Sequence, residues 1–133
     1  MKFTEIISRI KPKTVFLPHP SDLHSDHGVI YESALVSLRP FSANYVKEVY
    51  CYETLSETEW APYQGIRSFN PNVFFDISNE IEKKLEAMKF FISQLKGFPH
   101  SRSLEAIECL AKVRGSTINC KSAEAFELVR LIN

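Results

Sequence analysis

Five side chains able to bind a metal or move a proton fall close together in "PHPSDLHSDHGVIYESAL", residues 18–35: His19, Asp22, His24, Asp26 and His27. The whole chain has only four histidines. A catalytic zinc centre typically takes three protein ligands from His and carboxylate side chains and keeps one position for water. A further His beside such a centre can polarise a substrate carbonyl or stabilise an oxyanion. A nearby Asp can hold an imidazole in one tautomer. His24 and His27, three residues apart at the start of a helix, can point the same way. The same "SDLHSDH" is also a good helix-start segment, because Ser and Asp cap amino ends, and both readings stand at this point. The fourth histidine is His100, in "GFPHSRS". A three-ligand site made by this chain alone would therefore need His19 or carboxylates from a distant loop.

The elements that must position these residues follow from periodicity. Phe3, Ile6, Ile7 and Ile10 recur at helical spacing before Pro12, which predicts a short helix near residue 1. "TVFLP" (14–18) reads as a buried strand, and the histidine stretch begins at its carboxyl end. Val29, Ile30, Ala34, Leu35 and Leu38 predict a helix from about Ser25 to Leu38, ended by Pro40. "YVKEVYCYE" (45–53) alternates like a strand, residues 54–72 read as a loop, and "VFFDIS" (73–78) reads as a third strand. Ile81, Leu85, Met88, Ile92 and Leu95 predict the best helix of the chain over 79–96, with Ser78 as its cap and Gly97 and Pro99 as its stop. Asp76 reads as another cap for it. A further helix is predicted over 103–114, stopped by Gly115. The tail "SAEAFELVRLIN" has helical propensity, yet "FELVRLI" also alternates like a strand. Helices leading directly into strands indicate an α/β layer fold. In open α/β sheets, ligands bind beyond the carboxyl ends of the strands, where His19–His27 lies.

Composition bounds the rest. The chain has 133 residues, enough for one core, and is 44% hydrophobic and 24% charged. Its 16 basic and 16 acidic residues cancel, which argues against nucleic acid or an anionic membrane as main partner. No apolar run approaches the ~20 residues that span a bilayer. Charges interleave the apolar residues of "MKFTEIISRIKPK", unlike a signal peptide. Cys51, Cys109 and Cys120 form no C-x-x-C pair; they read as small buried hydrophobes in a reduced, cytoplasmic chain.

Beyond these physical readings, "IKPKTVFLPHPSDLHSDHGVIYESAL" resembles the third motif of the LmbE-like (PIG-L) zinc-dependent deacetylases, in which "D-x-H-x-D-H" follows a core strand. "VYCYETLSETEWAP" resembles that family's "E-T … W" segment. "FNPNVFFDISNEIEKKLEAMKFFISQL" is similar to its "F-x-P-N-x-F-V-D-I-S" segment, and "HSRSLEAIECLAKVRGSTINCKSAEAFELVR" to its closing "H-x-R-S … R-G … A-E-A-F". The four segments keep the family's order and cover nearly the whole chain.

The resemblance implies a Rossmann-like open α/β sheet, present in part, and hydrolysis of an N-acetyl group from a glucosamine-type sugar conjugate. It implies that His27 is a zinc ligand, that His24 stabilises the oxyanion, and that Asp26 supports a histidine. Asp22 matches the upstream aspartate of the motif and, with Glu53, Trp60 and Arg102, is expected on the substrate side. Glu124 is expected to be structural, and the tail to be extended at "SAEAF". The family's first motif, "A-H-P-D-D-E", supplies the general base and two more metal ligands, and it does not occur here. Ser25 and Gly28 also stand where the family often has Pro and Arg. The expectation is thus a single partial domain, residues 1–133, matching the carboxy-terminal part of the family domain and inactive by itself. It would be a homo-oligomer or joined to an amino-terminal half, with Val15, Phe16, Phe90 and Phe91 exposed where that half is missing. The other reading is a non-catalytic binding or assembly module of the same fold.

Overall fold

The computed structural model describes residues 2–61 and 68–133. The elements run α1 (Lys2–Ile10), β1 (Thr14–Pro18), α2 (Ser25–Ser37), β2 (Glu48–Tyr52), β3 (Val73–Asp76), α3 (Ile81–Lys89), α4 (Leu104–Thr117) and β4 (Ala123–Leu131). They form a mixed α/β fold around an open four-stranded sheet of order β1-β2-β4-β3. The chain divides into two compact units, residues 1–72 with 126–133, and residues 73–125.

The first unit is a β-α-β arrangement. β1 pairs in parallel with β2, from Thr14↔Glu48 to Pro18↔Tyr52, with α2 crossing between them. β2 pairs antiparallel with β4, with an irregularity between Val49 and Tyr50. Alternation sorts the strand residues onto two faces. Leu17, Val49 and Cys51 join Ala34, Leu38, Ala43 and Val46 in the core, with Val15 and Val129 of the strands, Tyr31 and Leu35 of α2 and Ile7 of α1 packed against it. Val15 thus packs on the core, which corrects the expectation that it lies exposed. Leu38, Val46 and Val49 have no solvent exposure. On the other face, the rings of Phe16 and Tyr50 stack at 5.5 Å, and Phe126 lies 5.0 Å from Phe16. Phe16 is only half-buried, so β1 is covered on one face more than the other, unlike the uniformly buried strand its composition suggests.

The second unit contains β3, the start of β4, α3 and α4. Ser103, fully buried, caps α4 by accepting the Ala106 N–H at 3.1 Å. Gly115 does not stop this helix, which runs on to Thr117. A Cβ there would stand 2.7 Å from the Ser122 nitrogen and 2.8 Å from the Cys120 carbonyl oxygen. The glycine is required by that close backbone approach rather than by a turn. α3 also departs from its periodicity. It ends at Lys89, well short of residue 96, and buries no residue. Ile81, Leu85, Met88 and Leu95 are partly buried, but Ile92 is 82% exposed. The chain turns instead, with Lys96 N–H bonded to the Arg102 carbonyl and the Arg102 guanidinium donating to Gln94 Oε1 at 2.6 Å. Ser78 does not cap α3, because Glu80 holds that position without a side-chain bond. Asp76 Oδ1 instead accepts from both the N–H and the hydroxyl of Ser78.

The tail is extended as β4, which settles its double propensity in favour of the strand. Of the cysteines, only Cys51 is buried; Cys109 is exposed on α4 and Cys120 is intermediate, so the reading of all three as buried hydrophobes is corrected. Among the described residues, no helix is long and apolar enough to cross a membrane.

Candidate functional site

β1 ends at Pro18, and the chain leaves its carboxyl end through His19 to His24 before α2 begins. The residue at the helix cap is His24, rather than a Ser or Asp: its Nδ1 accepts the Asp26 N–H at 3.2 Å. One turn on, His27 brings its ring alongside that of His24, with centroids 5.4 Å apart and planes 23° from parallel. The helical three-residue spacing therefore does put both imidazoles on one side.

Behind His27 sits Asp22, whose side chain has no solvent exposure. Its Oδ2 is 2.7 Å from His27 Nδ1, and its Oδ1 accepts the Thr58 hydroxyl at 2.7 Å. A buried carboxylate without such donors would cost several kcal/mol, so the pair of bonds is what allows Asp22 to be there. The loop after β2 is tied to this corner through a second bond, Leu23 N–H to the Glu57 carbonyl at 3.3 Å.

Hydrogen-bond roles separate the histidines. A neutral imidazole has one donor nitrogen and one acceptor nitrogen, and the partner of one fixes the other. His24 accepts at Nδ1 from a backbone N–H, so its Nε2 carries the proton and is a donor. His19 and His100 do the same, accepting from Ser21 N–H at 3.3 Å and Arg102 N–H at 3.0 Å. His27 is the exception. Asp22 can only accept, so His27 Nδ1 carries the proton and its Nε2 keeps a lone pair. That is the form in which a histidine ligates a metal, with a carboxylate behind it.

His19, just past the end of β1, is only 4% exposed. Its Nε2 lies 3.5 Å from Glu127 Oε2 and its ring meets Phe69 edge-on at 5.4 Å. Glu127 also accepts the Asn70 N–H at 3.0 Å. Cys51, opposite Glu127 in the β2–β4 register, has its thiol pushed up to about 12 by burial and then by the charges of Glu127 and Asp22. Burial, then Asp22 and Cys51, also raise the Tyr52 hydroxyl above its ordinary value.

The structure brings Asp22, His24 and His27 together. Asp26 is largely exposed, its Oδ2 3.9 Å from His24 Nδ1. Glu53 directly follows β2, and Trp60, 70% exposed, lies in the loop beyond. Arg102 belongs to the second unit, where it precedes the α4 cap. Glu124 is also there, paired with Lys84 at 2.9 Å. Thr58 and Glu127 were not singled out from sequence. Thr58 lies 36 positions from Asp22, and no period links the two.

Among the described residues, no group of three His, Cys, Asp or Glu side chains is arranged to hold a metal ion. His27 has the donor chemistry of a single zinc ligand, and a catalytic zinc needs three. These residues fit one corner of such a centre and not a whole one.

No protein-family model matches the chain. Among solved structures, the conserved protein TT1542 from Thermus thermophilus superposes with a TM-score of 0.75 at 20% identity, over 99% of this chain and 58% of that one. The N,N'-diacetylchitobiose deacetylase from Pyrococcus horikoshii, complexed with its inhibitor MPG, superposes with a TM-score of 0.61 at 18% identity, over 97% of this chain and 50% of that one. The chain shares their fold. It spans between half and three-fifths of their lengths.

Proposed function

We propose that this chain is the histidine-bearing part of an LmbE-like (PIG-L) zinc-dependent hydrolase, with a Rossmann-like sheet, that removes N-acetyl groups from a glucosamine-type conjugate. The observation that carries this reading is that two stacked imidazoles have opposite kinds of partner at Nδ1, a backbone N–H at His24 and a carboxylate at His27. His27, its Nδ1–H held at 2.7 Å by buried Asp22, offers a lone pair to a metal. His24, its Nδ1 taken by the Asp26 N–H, offers an Nε2–H to a developing oxyanion. Fold likeness to a diacetylchitobiose deacetylase supports the reaction class. Zinc, when bound, would supply Lewis-acid polarisation and an activated water. Of the described residues His27 would hold it, and the other ligands and the general base would come from an amino-terminal half carrying "A-H-P-D-D-E". Three free cysteines suit a reduced, cytoplasmic setting.

By itself the chain is then inactive, since a general base and two ligands each contribute orders of magnitude. The second reading, a non-catalytic assembly module, draws on the same absence of a three-ligand group among the described residues. Joining the chain to a polypeptide with the first motif separates the two. The expected outcome is one zinc per complex and acetate release from an N-acetylglucosamine conjugate, with neither from the chain alone. A joined complex without zinc would overturn the hydrolase reading.

A further inference from the structure

Away from the histidines, α1 carries an apolar face that nothing among the described residues covers. We infer that this face is an interface for a second copy of the chain, the two α1 helices packing antiparallel across a two-fold axis. The inference goes beyond the hydrolase reading and does not rest on it.

At about 100° per residue, α1 sorts its side chains into a fixed order around its axis. Thr4 lies toward α2, its hydroxyl 3.0 Å from that of Ser37. Ile7 comes next and packs on the core. Phe3, Ile10 and Ile6 follow, and all three are exposed, Ile10 by 61%. Beyond Ile6, by about 60° and 100°, stand Arg9 and Glu5, both exposed. An apolar stripe with one charged edge is thus left open. Glu5 and Arg9 have the spacing of an intrahelical ion pair, yet neither has an ion-pair partner among the described residues. A two-fold axis makes each residue of one copy meet its counterpart's neighbour reciprocally. Set between Ile6 and Ile7, the axis puts Phe3 level with Ile10 of the other copy. It also brings Glu5 within one residue's rise, about 1.5 Å, of Arg9 of the other copy, twice over. A parallel copy would instead set Glu5 against Glu5 and Arg9 against Arg9. The antiparallel copy is therefore complementary in charge as well as in apolar surface. The chain's formal net charge of zero leaves no long-range repulsion between copies.

The test is sedimentation equilibrium of the 133-residue chain. One short helix per copy buries less than a standard interface, so the wild type should show a weak monomer–dimer equilibrium with a Kd of about 100 μM. Glu5→Arg and Arg9→Glu should each weaken the dimer by about tenfold, because each turns two attractive contacts into repulsive ones. An equimolar mixture of the two variants should regain wild-type association as a heterodimer, since an all-basic edge then meets an all-acidic one. Ile10→Ser should weaken the dimer by at least about tenfold without changing any charge. These positions are exposed, so far-UV circular dichroism should be unchanged in all three variants. A wild type that stays monomeric up to about 1 mM, ten times the expected Kd, would overturn the proposal. So would a mixture that associates no better than its separate variants. Association lost on Phe90→Ser with Phe91→Ser, and kept on Ile10→Ser, would also overturn it by moving the interface to another apolar patch.

Discussion

Asp22, Thr58 and the four histidines show how much chemistry depends on single donors and acceptors. Three imidazoles accept a backbone N–H from two residues ahead, and one donates to a carboxylate. That difference, not the crowding of histidines, marks His27. Cys51 makes a second residue-scale prediction. Its thiol is pushed up to about 12 from an ordinary 9.0, so it stays protonated where an unfolded thiol ionises. The unfolded chain then holds fewer protons between about pH 9 and 12, and stability falls with rising pH over that range. Tyr31 and Tyr52, also raised by burial, act in the same sense. Urea denaturation across this range should show a shallower loss in Cys51→Ala than in the wild type; equal slopes would refute it. At about pH 8 a thiol reagent should modify exposed Cys109 and spare Cys51.

At the scale of elements, Gly115 gives the sharpest prediction. A methyl group would meet backbone atoms at 2.7–2.8 Å that cannot swing aside. Gly115→Ala should destabilise the fold by about 3 kcal/mol, at the upper end of overpacking costs, even though alanine is the better helix former. An unchanged denaturation midpoint would contradict the close α4–Ser122 approach. The same elements show what could be read in advance. α1, β1 and α2 were legible almost to the residue, because Pro12, Pro18 and Pro40 punctuate clear apolar patterns. β4 was ambiguous because its pattern suits two periods, and pairing with β2 decided it. α3 was overextended because Ile92 keeps the helical period yet stays 82% exposed. In the site, the His24–His27 spacing was legible locally. The Thr58–Asp22 bond was not, since it spans two elements with no shared period. Nor was the burial of His19, which depends on Glu127 arriving from the far end of the chain.

At the scale of the whole molecule, the chain shares its fold with two longer proteins and spans 58% and 50% of their lengths. Phe90 and Phe91 are exposed, and Phe16 is half-buried. The hydrolase reading requires His27, and no other histidine of this chain, to meet the metal. The direct measurement is zinc affinity of the joined complex across His19→Gln, His24→Gln, His27→Gln and His100→Gln. His27→Gln should weaken zinc by at least about a hundredfold, the size of effect seen when even a partner behind a ligand is lost. His24→Gln should leave zinc in place while acetate release falls by about a hundredfold or more. Zinc held as tightly by His27→Gln as by the wild type would contradict the account.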